Sequence, residues 1–178
     1  YLANLQASKG IEDVLEAVKL LLKQGSGNFH LDVVGQWRSE ETRIGCEKLV
    51  QENKLPVTFH PADAGKKKME FLCKADIFVF PPRAPEGHPW VIVEAMAAGL
   101  PVISTDRGAI AECILDGQNG FIVPVNNPGQ IAAKMNLLIS DNSLRERMGR
   151  ESRRLYEENF TEEKMVGRLS ETFEKAMA

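Results

Sequence analysis

Apolar residues follow two alternating patterns along this chain. In the first pattern, a short run such as Ile77-Phe78-Val79-Phe80 is apolar throughout and is followed by proline and glycine, which is typical of a buried strand. In the second pattern, apolar residues return at helical spacing from Ile11 to Leu22, and Gly25 ends the run. The first pattern predicts strands and the second predicts amphipathic helices.

Strands and helices predicted in this way alternate over most of the chain. Strands are expected at residues 1–3, 29–34, 57–59, 77–80, 101–104 and 120–123, and helices at 11–22, 39–53, 66–73, 89–98, 128–139, 143–158 and 161–177. Such alternation is typical of a parallel sheet covered by helices. The sequence therefore predicts an α/β fold: a Rossmann-like, doubly wound parallel sheet of about six strands, with helices on both faces and a helical C-terminal tail.

Composition adds few constraints. The 178 residues are enough for one domain with a sizeable core, and a net charge of −3 gives no general attraction to nucleic acid. Three scattered cysteines without metal-ligand spacing predict reduced, buried thiols in a cytosolic compartment. No run approaches the ~20 apolar residues of a membrane span. Because the chain opens directly on an apolar strand, we expect residues 1–178 to be a single domain of a longer protein.

The helix at 89–98 is the most apolar of the set. Pro89 suits its first position, Gly99 suits the residue beyond its end, and Pro101 prevents continuation. Glu94 is its only charged residue. A helix that is apolar on every face belongs in a core, and a carboxylate there is unfavourable unless something compensates it.

A second carboxylate, Glu86, precedes this helix, with seven residues between it and Glu94. The mouth of a helix attracts an anion through its free N–H groups and dipole. A nucleoside diphosphate sugar, which has hydroxyl groups on either side of an anion, would use all three features because carboxylates accept hydrogen bonds from hydroxyls. The spacing alone rather favours a capped, buried helix whose glutamate meets a nearby lysine or backbone donor.

The whole stretch resembles a known family. A Glu, seven residues and Glu-Ala-Met-Ala-x-Gly-x-Pro-Val are matched by Glu86 and by residues 94–102, and the resemblance continues through Gly108, Glu112 and residues 117–123 and back to residues 8–10. This ordered set resembles the C-terminal half of the family 4 (group 1) retaining glycosyltransferases, which have the GT-B architecture. The resemblance covers most of the chain.

The resemblance implies a donor site. Glu86 and Lys9 would be catalytic, with Glu86 on the donor-sugar hydroxyls and Lys9 on the diphosphate. Glu94 would bind the ribose diol, and the loop from His60 to Asp63 would lie near the base. The full donor-binding set that it implies is Asn4, Gly35, His60, Pro61, Gly87, His88, Pro89, Trp90, Val91 and Glu94.

Two positions depart from the family pattern. Asn4 stands where an arginine usually helps to hold the diphosphate, and asparagine cannot neutralise charge. We hypothesise that His88 or Arg83 compensates. Pro89 replaces a frequent glycine and has no N–H to donate, so contacts there would rely on the amides of Trp90 and its successor; Trp90 is also compatible with simple core packing.

The implied function is retaining transfer of a glycosyl group from a nucleoside diphosphate sugar to an acceptor hydroxyl, in polysaccharide or glycolipid synthesis. No metal is expected, because Asp-x-Asp is absent and the three histidines are far apart. The acceptor site would belong to an N-terminal domain absent here, so residues 1–178 alone would be inactive. That domain would be the main partner, in a cytoplasmic protein with peripheral contact to the inner face of the membrane.

Other functions stay open at this point. One alternative is a different nucleotide-sugar enzyme of the same architecture, such as an epimerase or a phosphorylase. Another is a non-catalytic interaction domain that keeps the fold, since fold alone does not prove function. A dinucleotide-binding oxidoreductase is disfavoured, because residues 1–10 lack the G-x-G-x-x-G that would follow its first strand.

Overall fold

The computed structural model describes residues 1–26, 28–62 and 66–177, with Lys66 described by its backbone only. Five strands and seven α-helices lie in these ranges. The strands are β1 (Leu31–Val34), β2 (Val57–His60), β3 (Phe78–Phe80), β4 (Val102–Thr105) and β5 (Gly120–Val123). The helices are α1 (Ile11–Lys23), α2 (Glu40–Asn53), α3 (Lys66–Lys74), α4 (Trp90–Ala97), α5 (Pro128–Ser140), α6 (Asn142–Asn159) and α7 (Glu162–Met177), with short 3-10 turns at Ala7–Lys9 and Ala109–Glu112.

All strand pairs are parallel. β1 pairs with β2, with Leu31 opposite Val57, and a second sheet has the order β3-β4-β5, with Phe78 opposite Val102. The strand predicted at residues 1–3 is reduced to a single bridge between Leu2 and Val34. The α/β architecture predicted from the alternation is confirmed. The prediction of a strand at residues 1–3 is wrong, because only one residue of that segment pairs in register with β1.

Helices cover the sheets. Every residue of β3 and β4 is buried, which requires helices on both faces of those strands. Helix α1 packs on α5, and α4 packs on α6. Fully buried side chains such as Leu15, Ile92, Ile103 and Leu138 form the core between these layers.

Helix α4 begins one residue later than predicted. Pro89 is its N-cap, in an extended conformation, and the first helical residue is Trp90. At the other end Gly99 follows the C-cap residue with φ +73, the left-handed conformation that favours glycine. Trp90 is 57% exposed, so the interpretation of this side chain as core packing is wrong.

The last helix differs from the others. α7 has no buried residue, and its apolar side chains Val166, Leu169, Phe173 and Met177 are exposed. None of the described helices combines the length and the apolar character needed to cross a bilayer.

The three cysteines are free thiols. Cys46 and Cys113 are buried as predicted, and burial raises the pKa of Cys46 to about 12 and that of Cys113 to about 11. Cys73 is exposed on α3, so the prediction of burial is wrong for this residue.

Candidate functional site

Glu86 is positioned by the loop that follows β4. Its N–H donates to Arg107 O (3.3 Å), and its carbonyl accepts from Ala109 N–H (3.1 Å). Gly108, between them, has φ +69, and a Cβ atom there would lie 1.9 Å from Glu86 O. Only glycine permits this approach, because it has no side chain. Gly108 therefore helps to fix the backbone that carries the Glu86 carboxylate.

Lys9 is positioned by a similar close approach between two backbone segments, at Gly10 and Pro81. The turn Ala7–Lys9 ends at Gly10, where φ is +76 and a Cβ atom would lie 2.0 Å from Pro81 O. Next to it, Ser8 O accepts from Arg83 N–H (2.8 Å). The loop that carries Lys9 therefore lies directly against the loop that carries Glu86.

Lys9 and Glu86 form a partly buried ion pair. Lys9 Nζ lies 2.6 Å from Glu86 Oε1 and 2.8 Å from Oε2, and the two side chains are 22% and 14% exposed. The buried hydroxyl of Tyr1 donates to Lys9 O (2.9 Å) and so helps to fix the lysine backbone. Both oxygens of Glu86 are engaged by one lysine.

Glu94 is held by a lysine that the sequence analysis did not identify. Lys68, on α3, donates to Glu94 Oε1. Oε2 of Glu94 is buried, and no hydrogen-bond donor reaches it among the described residues. A buried acceptor without a donor is unfavourable, so this oxygen has unused hydrogen-bonding capacity. The alternative of a buried helix whose glutamate meets a nearby lysine or backbone donor therefore agrees with the structure at Oε1, where the donor is Lys68.

The mouth of α4 presents two amides that have no acceptor among the described residues. The first hydrogen bond that closes the helix runs from Ile92 N–H to Pro89 O (2.9 Å), so the amides of Trp90 and Val91 precede it. Gly87, just before the mouth, has open space around its Cα. Amides in this position attract an anion, as the sequence analysis expects.

His88 faces the end of α6. Its ring lies 5.4 Å from that of Trp90 and 5.7 Å from that of Phe160, and its Nε2 is buried without a hydrogen-bond partner in the described ranges. The ring of His88 therefore packs against two aromatic rings.

The hypothesis that Arg83 replaces the missing arginine stays a prediction, and the structure gives its guanidinium carboxylate partners on α1. Its guanidinium donates to both oxygens of Asp13 (2.9 and 2.8 Å) and to Glu12 (2.7 Å), and these bonds raise its pKa above the usual range. Two carboxylates of α1 therefore already neutralise the charge of Arg83.

Asn4 has a different cationic neighbour. Its Oδ1 accepts from Arg38 Nε (3.2 Å) and Nη2 (3.1 Å). Gly35, close by, is required for packing, since a Cβ atom there would lie 1.9 Å from Ala3 O. Residues 35–38 are a candidate ligand loop by their place after a predicted strand, but the contact between Arg38 and Asn4 could not be predicted because more than thirty residues separate them.

His60 and Pro61 lie at the carboxyl end of β2. His60 Nε2 is 2.7 Å from Asp32 Oδ1, and its ring is 4.6 Å from that of Phe71 on α3, while Pro61 is exposed. The last residue of the predicted base-binding loop, Asp63, lies outside the described residues. Over the described ranges, no three His, Cys, Asp or Glu side chains are arranged to hold a metal ion.

The chain is similar to one protein family over most of its length. A sequence model of the family described as glycosyl transferases group 1 matches residues 1–155. Spore coat protein SA of Bacillus subtilis (strain 168) is 41% identical, over 98% of this chain and 48% of that protein. The capsular polysaccharide biosynthesis glycosyltransferase CapM of Staphylococcus aureus is 30% identical, over 90% of this chain and 41% of that protein. The chain thus spans about half the length of these relatives.

Solved structures share the fold. The C-terminal domain of a glycosyl transferase group 1 family protein, LpcC of Francisella tularensis, superposes with a TM-score of 0.82 at 26% identity, over 91% of this chain and 84% of that domain. Anabaena Alr3699/HepE, in a crystal with UDP and glucose, superposes with a TM-score of 0.88 at 20% identity, over 98% of this chain and 47% of that one.

Proposed function

This chain belongs to the group 1 glycosyl transferases, and we propose that it is the domain that binds a nucleoside diphosphate sugar for retaining transfer of the glycosyl group to an acceptor hydroxyl. The observation that carries the proposal is the partly exposed carboxylate of Glu94, whose Oε2 has no donor in the described part of the chain, on the helix that begins with the amides of Trp90 and Val91. Crystals of HepE with UDP and with UDP-glucose support the ligand class.

The proposed chemistry follows from the charges around the α4 mouth. Negative charge grows on the diphosphate as it departs from the sugar. Lys9 and the amides of Trp90 and Val91 would stabilise that charge, because fixed donors and cations in a partly buried site act without reorganisation. Glu86 would accept hydrogen bonds from the sugar hydroxyls and orient the ring.

Ligand binding by this chain tests the proposal directly. We expect UDP, GDP or ADP sugars to raise the melting temperature, since a ligand that binds only the folded state stabilises it. Glu94→Gln should reduce the shift, and Glu52→Gln, an exposed residue of α2, serves as the matched control. No shift with any of the three nucleotide classes would contradict the proposed function.

We propose further that an N-terminal domain completes the enzyme and supplies the acceptor site. Two observations support this partner: the chain spans about half of its relatives, and the apolar side chains of α7 are exposed. Residues 1–178 alone should bind donor without turnover, and detectable transfer by the purified chain would overturn this part. The name of CapM supports polysaccharide synthesis as the setting.

A non-catalytic role is the second candidate. It is favoured by Asn4, which replaces a cation of the family pattern, and by the name of one relative, which is that of a spore coat protein. The double variant Glu86→Gln/Glu94→Gln in the protein with its proposed N-terminal domain separates the two. A scaffold would function unchanged, whereas an enzyme would lose transfer.

Independence from metal stays a prediction, as do the cytoplasmic location and the membrane contact. Transfer that persists at full rate in excess EDTA would support metal independence, and loss of transfer that Mg²⁺ or Mn²⁺ restores would contradict it.

A further inference from the structure

The cations around the α4 mouth are largely paired with carboxylates. Lys9 bonds to Glu86 and Lys68 bonds to Glu94. Arg83 bonds to two acidic residues of α1. A diphosphate carries more than one negative charge, and a lysine that already shares its charge with a glutamate neutralises it only in part. The proposed donor site therefore needs a further cation.

Arg38 contacts Asn4, the residue at the position where the family pattern has its diphosphate-binding arginine. Residues 36–38 extend past the carboxyl end of β1 and run beside the segment that carries Asn4. Leu5 N–H donates to Gln36 O (2.8 Å), and Arg38 N–H donates to Leu5 O (3.0 Å). Because Leu5 is fully buried, this ladder fixes the backbone of Arg38 next to the loop that leads to Lys9. Ligands of open α/β sheets bind at this carboxyl edge.

The side chain of Arg38 is oriented but not neutralised. Nε and Nη2 donate to the amide oxygen of Asn4, a neutral acceptor. Arg38 is exposed and forms no ion pair with any carboxylate that the structure describes. A guanidinium has five N–H donors, so three are still available to a ligand, and its planar fork suits phosphate oxygens.

We infer that Arg38 is a phosphate-binding residue of the donor site and that Asn4 is the positioning residue that orients it. The inference rests on the proposed function. It changes which residue supplies the second cation of the donor site: the cation comes from the loop after β1 rather than from position 4. Asn4 thereby has a role that does not require it to carry charge, because its carbonyl oxygen aligns the guanidinium.

The test compares diphosphate binding with nucleoside binding. We choose whichever of UDP, GDP and ADP the wild-type chain binds, and we measure its affinity and that of the matching nucleoside by calorimetry. Arg38→Gln should weaken diphosphate binding at least about 10-fold, which corresponds to the loss of a charge-assisted hydrogen bond, and leave nucleoside binding unchanged. Arg43→Gln, on the exposed face of α2, is the control.

Two further variants separate charge from position. Asn4→Ala should weaken diphosphate binding less than Arg38→Gln, since the charge is kept but no longer oriented. The exchange variant Asn4→Arg/Arg38→Asn should restore affinity, because it returns a cation to the same loop. Diphosphate affinity of Arg38→Gln within twofold of wild type would overturn the inference. If the wild-type chain bound none of the three nucleotides, the proposed function itself would fail.

Discussion

Two lysine–glutamate pairs flank the same helix, and they are built differently. Lys9 and Glu86 lie on two loops, each fixed by a glycine that lets backbones approach, and both oxygens of Glu86 are engaged. Lys68 and Glu94 lie on two helices, and one oxygen of Glu94 has no described donor. We call the Lys9–Glu86 pair closed, because both carboxylate oxygens accept a hydrogen bond, and the Lys68–Glu94 pair half open, because only one does.

This difference in hydrogen bonding implies different functional roles for the carboxylates of Glu86 and Glu94. A hydroxyl that approaches Glu86 must share or replace a bond from Lys9, so binding there is coupled to the position of the lysine charge. Glu94 keeps one oxygen without a described donor, so a hydroxyl that reaches this oxygen need not displace the bond from Lys68. We therefore expect Glu86 to act mainly on transfer and Glu94 mainly on affinity.

The largest effect should come from Glu86→Gln. The amide cannot orient the sugar as the carboxylate does, and Lys9 loses its partner, so transfer by the protein with its proposed N-terminal domain should fall about 100-fold or more. Initial rates at saturating donor measure this, with Glu52→Gln as control. A rate within threefold of wild type would show that the closed pair is only structural.

Glu94→Gln should affect affinity instead. Loss of a charged acceptor for the ribose diol should weaken nucleotide binding about 10-fold. Binding of a 2′-deoxy nucleotide sharpens the comparison, because it lacks one of the hydroxyls: wild type should prefer the ribose form, and the variant should lose that preference. An equal preference in both proteins would place the ribose elsewhere.

The support that Gly108 gives to the Lys9–Glu86 pair can be tested through protein stability, with Gly117 as the comparison. Gly108 and Gly117 both have positive φ, +69 and +77, but only Gly108 has a backbone neighbour within reach of a Cβ atom. Gly117→Ala should cost about 1–2 kcal/mol from its conformation alone. Gly108→Ala should cost more, since φ +69 with ψ −130 lies outside the left-handed well and the backbone of Glu86 must also move. Thermal or denaturant unfolding measures both, and equal losses would contradict the proposed support.

Tyr1→Phe should have the smallest effect. The variant removes the hydrogen bond from the Tyr1 hydroxyl to Lys9 O, which contributes about 1 kcal/mol to the free energy of unfolding. It affects the Lys9–Glu86 pair and not the Lys68–Glu94 pair. Burial raises the pKa of the Tyr1 phenol above its ordinary value of 10. The unfolded chain therefore loses this proton first, so the phenol's contribution to stability is present below pH 10 and falls as pH rises further. The variant should show a shallower alkaline decline, and identical profiles would contradict this account.

Local signals predicted much of the fold and part of the site. The strand at 120–123 and the position of Gly99 beyond α4 were confirmed, because short apolar runs and glycine stops act within a few residues. The strand at 1–3 was wrong, because strand pairing depends on a partner segment distant in sequence. Trp90 was ambiguous for a similar reason: its exposure depends on which helices cover α4.

The sequence by itself determined the alternating elements, the family and the two carboxylates at the mouth of α4, since these depend on residue type and spacing along the chain. Only the tertiary structure decided which cation meets which anion. Lys68 is paired with Glu94, Arg83 is neutralised by α1, and Arg38 lies on Asn4. Charge pairing acts over a few ångströms in space between residues far apart in sequence, and no local pattern specifies it.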